Sequence, residues 1–124
     1  MAKIGETPYS KYWIDGGILY FVYKQIDYLN CSTAKIIVES RLEFQQGDSY
    51  PIFCDTRFLK DSSKAARDYL ANQGSLLAKA VAIYDNRIFG GSMIGFYMHR
   101  NRPMVPYQIF NDRDAALAFL ATYR

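Results

Sequence analysis

Apolar positions in this chain come in short blocks separated by polar, glycine-bearing breaks. Tyr12 to Ile14 and Ile18 to Tyr23 flank Asp15-Gly16-Gly17. That pattern predicts a β-hairpin, with β-formers on both sides of a glycine turn able to take positive φ. In the second block Ile18, Tyr20 and Val22 alternate with Leu19, Phe21 and Tyr23, and both sets are apolar. A strand of that kind is covered on both faces, or lays one face against a partner. Residues 1–11 carry no such block and read as irregular.

Asn30 is placed to cap a helix running to about Gln46, with Gly47 as its stop. Ala34, Ile37, Val38 and Leu42 form its core stripe, while Lys35, Glu39 and Glu43 face water. Pro51 to Cys54 is a short apolar run tipped by Asp55, the pattern of a buried strand. A polar turn through Lys60, Asp61, Ser62 and Ser63 leads into an amphipathic helix with Ala66, Tyr69 and Leu70 on one face. Asn72, Gln73 and Gly74 weaken its end. Ala80 to Tyr84 predicts another buried strand, tipped by Asp85.

For Ile88 to His99 periodicity does not separate helix from strand, and length favours helix. Gly91 and Gly95, at i and i+4, allow such a helix to press closely on a neighbour. The RNRP stretch at 100–103 breaks it. Val105 to Phe110, with Pro106 inside, reads as a short edge strand. Asn111 then caps a closing helix with a capping-box-like Asp114, and Ala116, Leu117, Leu120 and Tyr123 form its buried face. The order β-β-α-β-α-β-α-β-α predicts an α/β domain of about four helices, with a mixed sheet led by a hairpin.

Composition narrows the class. At 124 residues the chain is one domain, 1–124, with a single real core. Half of its residues are hydrophobic and 22% are charged, which excludes wholesale disorder. The net charge of +3 is dispersed and leaves no nucleic-acid footprint. No apolar stretch reaches the ~20 residues of a transmembrane helix, and MAKIGETPYSKYW lacks the apolar segment of a signal peptide. Cys31 and Cys54 have no metal spacing between them, as suits free thiols in a reduced, cytoplasmic protein.

Chemistry-bearing residues are few, and the Asp55 to Ser63 loop is the first place to seek them. Ser62 and Ser63 are candidate phosphoacceptors at a helix N-terminus, where negative charge is tolerated, or else one of them caps the helix. Asp55, Asp61 and Asp85 lie near strand ends as a candidate acidic or metal-binding loop site or else, without ligand spacing or histidine support, as solvated loop acids. His99 is the single histidine, which rules out a two-histidine metal motif. The phosphate cradles GxGxxG and GxxxxGK[ST] are absent. Burial of Cys54 in mid-strand would raise its thiol pKa rather than activate it. No metal, cofactor or catalytic constellation is expected. Phe89, Met93, Phe96, Tyr97 and Met98 are too many for one helix face, so they predict a homodimer contact or an apolar pocket.

The runs CDTRFLKDSSKAARDYLA, AVAIYD and RNRPMVPYQIFNDRDAALAFL resemble small bacterial proteins of the STAS/SpoIIaa-like fold, from roughly Ile18 onward. The resemblance implies a STAS-like mixed sheet with helices packed on it, no cofactor and no established catalytic activity. In the related anti-sigma-factor antagonists a D-S-S-G stretch is phosphorylated to control partner binding. Asp61-Ser62-Ser63-Lys64 matches three of those four positions, with Lys64 in place of the glycine. The expected function is that of a non-enzymatic domain making protein contacts, with its own copy and an unidentified regulatory protein. The alternative is a carrier or sensor of a small apolar, lipid-like ligand, because STAS-like folds resemble lipid-binding domains of the Sec14 type.

Overall fold

The computed structural model describes residues 3–87 and 104–124. Its elements are β1 Ile4–Glu6, β2 Ser10–Asp15, β3 Ile18–Tyr23, α1 Cys31–Gln45, β4 Tyr50–Asp55 and α2 Lys64–Asn72. A 3-10 turn at Gln73–Ser75, β5 Ala78–Tyr84, β6 Tyr107–Phe110 and α3 Arg113–Ala121 follow. One sheet holds all six strands in sequence order. The β1–β2 and β2–β3 pairs are antiparallel, and β3–β4, β4–β5 and β5–β6 are parallel. The chain therefore has the expected mixed α/β architecture.

Both faces of β3 are covered. Leu19 and Phe21 join Leu29, Ile37, Ile52 and Ala66 in a core under α1 and α2. Ile18 joins Phe53, Ala80, Ala82, Ala116 and Leu120 in a second core under α3. The hairpin turn is made by Gly16 at φ 59° and Gly17 at φ 80°, the doubly positive φ of a type I′ turn.

Asn30 caps α1 as expected, its side chain accepting the Thr33 N–H at 2.8 Å. The helix ends through a left-handed Gln46 at φ 49°, followed by Gly47 at φ 85°.

Several expectations are corrected. Residues 1–11 are not wholly irregular: Ile4–Glu6 pairs with Lys11–Trp13, and β2 starts at Ser10. A three-residue, largely exposed strand has no periodicity to read. Gly5 lets the Tyr12 ring lie where a Cβ would otherwise stand. Position 42 is only half-buried, and Arg41 takes the buried place beside it. The strand before α3 starts after Pro106, whose carbonyl still accepts the Val81 N–H at 2.9 Å. Asp112, not Asn111, caps α3, accepting the Ala115 N–H at 2.9 Å. The Phe110 carbonyl is bound to the Asp85 N–H, so β6 is paired to its end before the helix starts. Three α-helices stand among the described residues. The fourth expectation, over 88–98, lies outside them.

Candidate functional site

Helices α1 and α2 lie on one sheet face without filling the space beneath them. Over that space the chain presents Ala71, Gly74 and Ser75, residues too small to reach the strands. What remains is a half-open cavity of about 180 Å³, with Phe21, Ile52 and Val81 among its sheet wall and Ile37 on α1. Apolar atoms dominate it.

Polar side chains interrupt that lining, among them Arg41, Arg67, Tyr23 and Thr56. The Arg41 guanidinium, 4% exposed, donates to the Gln45 side-chain oxygen and to the carbonyls of Gly74 at 2.9 Å and Leu76 at 3.2 Å. Gln45 in turn donates to the carbonyls of Asp48 and Leu77, each at 2.9 Å, so α1 is pinned to the start of β5. Burial pulls the Arg41 pKa down, opposed by Cys54, Tyr23 and Tyr12 nearby. Burial raises the Tyr23 phenol well above the usual tyrosine range. It also pushes the Cys54 thiol up to about 12, assisted by the Asp55 charge. Cys54 is half-buried rather than fully enclosed, because it lines the cavity.

At the α2 start the hydroxyls have separate places. Ser63 is the cap, its Oγ accepting the Ala66 N–H at 3.0 Å. Ser62 is half-buried, contributes to the cavity wall and gives its carbonyl to Arg67 Nη1 at 2.6 Å. Asp61 accepts the Ser62 N–H at 2.7 Å. Lys64, in the position of the resembled glycine, pairs with Asp68 on the exposed helix face at 2.8 Å.

Asp55 and Asp85 come together at the carboxyl ends of adjacent parallel strands, where ligands of open α/β sheets commonly bind. They are not open acids. Asp55 Oδ1 accepts the Arg57 N–H at 3.1 Å and its Nε at 3.0 Å, while Oδ2 accepts Nη2 at 2.8 Å. Asp85 repeats the arrangement with Arg87 at 3.1, 2.9 and 2.5 Å. Thr56 ties the two turns, its hydroxyl donating to Asp85 Oδ2 at 3.0 Å and its carbonyl accepting Arg87 Nη2 at 3.1 Å.

Burial alone would raise the Asp85 pKa. The Arg87 guanidinium and N–H and the Thr56 hydroxyl outweigh it and hold the carboxyl below its usual range. The sequence signal missed here is the spacing D-x-R, which occurs after both β4 and β5. Asp61 does not join this pair of turns. Among the described residues no group of three His, Cys, Asp or Glu side chains is placed to hold a metal, and no helix is long and apolar enough to cross a membrane.

His99 and the aromatic and Met set Phe89, Met93, Phe96, Tyr97 and Met98 lie outside the described residues. Among those described, Tyr28 and Phe58 are large, exposed rings at 58% and 53%.

Residues 12–124 match a family described as a domain of unknown function, DUF7793. No curated protein matches the chain. A solved structure is similar: an uncharacterized protein of the DUF3478 family with a SpoIIAA-like fold, from Shewanella loihica PV-4. The TM-score is 0.56 at 16% identity, covering 97% of this chain and 92% of that one. At that identity the likeness is one of fold, and it agrees with the STAS-like sheet read from the sequence.

Proposed function

The chain belongs to the DUF7793 family, and we propose that it binds a small apolar ligand in the cavity under α1 and α2. The cavity carries this reading. Interiors pack to crystal-like density. An enclosed void of 180 Å³ would cost on the order of 4 kcal/mol at ~24 cal/mol per Å³. The half-open shape lowers that cost and supplies a route of entry. A cavity of ~150 Å³ accepts benzene, whereas drug-sized ligands take ~300 Å³ or more. The ligand portion enclosed here is therefore a single ring or a short branched chain.

Binding without turnover is the form this takes. A thiol held protonated at about 12 is a poor nucleophile. Asp55 and Asp85 are already held by arginines in bidentate pairs. The test is thermal unfolding with toluene, indole and n-hexanol, for wild type and for Ala71→Leu, which fills the cavity. A ligand at a hundred times its Kd adds about 2.7 kcal/mol, and Ala71→Leu is expected to abolish the shift. A shift that Ala71→Leu leaves intact, or no shift with these probes or with their acid and amide counterparts, overturns the reading.

Exposed Tyr28 and Phe58 favour a second reading, contacts with another copy or with a regulatory protein. Backbone pairing of Ile26 with Phe58 and Lys60 brings their segments together, and aromatic anchors dominate such contacts. Sedimentation of wild type and of Phe58→Glu at micromolar concentration tests it. A wild-type monomer removes the self-contact.

A further inference from the structure

We propose that the ligand is a small monocarboxylate, an aromatic or short-chain acid whose apolar part fills the cavity and whose carboxylate meets Arg41 beside the Tyr23 hydroxyl. This rests on the cavity being a binding site. It goes further by fixing the chemistry of the head group.

Arg41 holds a charge in an unusual place. Charged groups are almost never fully buried unless paired, yet Arg41 is 4% exposed and lines an apolar cavity. Its hydrogen bonds go to neutral oxygens: the Gln45 side chain and the carbonyls of Gly74 and Leu76. These satisfy N–H geometry and leave the charge without a counter-ion. Among the described residues no carboxylate forms a salt bridge with Arg41, and none of the described lining residues is Asp or Glu.

A second polar group points the same way. Tyr23 is 5% exposed, sits in the same lining and brings a phenol hydroxyl to it. Tyr23 and Arg41 line the same cavity. A phenol hydroxyl that reaches a cavity can donate to a ligand there. A carboxylate supplies the missing negative charge for the guanidinium and can also accept from the phenol. A neutral hydrocarbon supplies neither. A phosphate with its two charges and tetrahedral bulk would leave little of 180 Å³ for an apolar tail.

The experiment is calorimetric titration at pH 7 of phenylacetate and hexanoate against phenylacetamide and hexanamide. Arginine Nε–Hε signals are followed by NMR in parallel. Each acid is expected to bind at least tenfold more tightly than its amide, with the Arg41 signal moving in the acid titrations. Amides binding as well as acids overturn the carboxylate assignment and leave the apolar-cavity reading standing. If acids, amides and the neutral probes toluene, indole and n-hexanol all fail to bind, both readings fall. Arg41→Met is expected to erase the acid preference while amide affinity is kept. If that variant does not fold, Tyr23→Phe, which removes only the hydroxyl, is expected to weaken acid binding several-fold. Full acid affinity in whichever variant folds overturns the assignment.

Discussion

Replacing Asp85 by Asn keeps the shape of the side chain and removes its charge. The consequence can be worked from the turn it sits in. Asp85 is 1% exposed and accepts from the Arg87 N–H, Nε and Nη2 and from the Thr56 hydroxyl. Asn retains an oxygen for the first two. It places an NH2 opposite Arg87 Nη2 and Thr56 Oγ1, which are left with only the Thr56 and Tyr84 carbonyls as acceptors. Hydrogen bonds to a charged group contribute about 1.5–3 kcal/mol each. The Arg87 side chain is 35% exposed and can turn to water, which discounts the ion pair. The expected loss is about 2 kcal/mol. For 124 residues, at ~2.1 cal/mol/K per residue, this lowers Tm by roughly 8 °C.

Urea unfolding should show a lower midpoint at an unchanged m value. The sign with pH follows from the depressed folded pKa. The carboxylate's contribution is complete above the unfolded value of about 3.9 and is lost as pH falls through the folded one. Wild type and Asp85→Asn should therefore converge in strong acid, where the wild-type group is also neutral. A difference that persists undiminished at pH 2 would refute the charge-based account and leave only packing to explain it.

Ser63→Ala should cost about 1 kcal/mol through loss of the α2 cap, with Ser63→Asp tolerated and Ser62→Ala near neutral; urea midpoints of the three variants check this. Cys54 should react with thiol reagents at pH 8 roughly a thousandfold more slowly in the native protein than in denaturant, because its pKa is pushed up to about 12. Native labelling as fast as in denaturant would show that this part of β4 is misplaced. Gly17→Ala should lose about 1–2 kcal/mol, since φ is 80° there and the added Cβ approaches the Arg124 side chain; thermal unfolding measures it.

Legibility in the sequence followed the range of each signal. The hairpin, α1, β4 and α2 announce themselves through alternation, helical spacing and caps, which are local. Asn111 and Asp112 are equally good caps by type, and only the paired end of β6 decides between them. Arg41 reads as a solvated helix residue because its acceptors, Gly74 and Leu76, lie 33 and 35 positions on. Asp55 and Asp85 were placed at strand ends correctly. Their pairing is not legible there, because an arginine two residues on shows no periodic signal. The cavity is the hardest case, since it is an absence of volume. Ala71, Gly74 and Ser75 reveal it only once a sheet is known to lie beneath them.

The sheet's strands lie side by side in the order in which they occur along the chain. Each strand therefore pairs with the strand before it, directly in the hairpin and across α1 and α2 in the β3–β4 and β4–β5 pairs. Parallel pairings of this kind close long loops and form slowly. Helix α3 departs from that order: it returns to pack on the far face of β4 and β5, over Phe53, Ala80 and Ala82. Beyond it, Arg124 donates to the Gly16 carbonyl across 108 positions at 3.0 Å. Closure of that face is a separate, late event in this scheme, and its reversal is the natural first step of partial opening. Hydrogen exchange would then release the amides of α3 together, ahead of those in β3 and β4. In that opened form the second core lies bare to solvent while the sheet is still paired, a species prone to associate through Ile18 and Phe53.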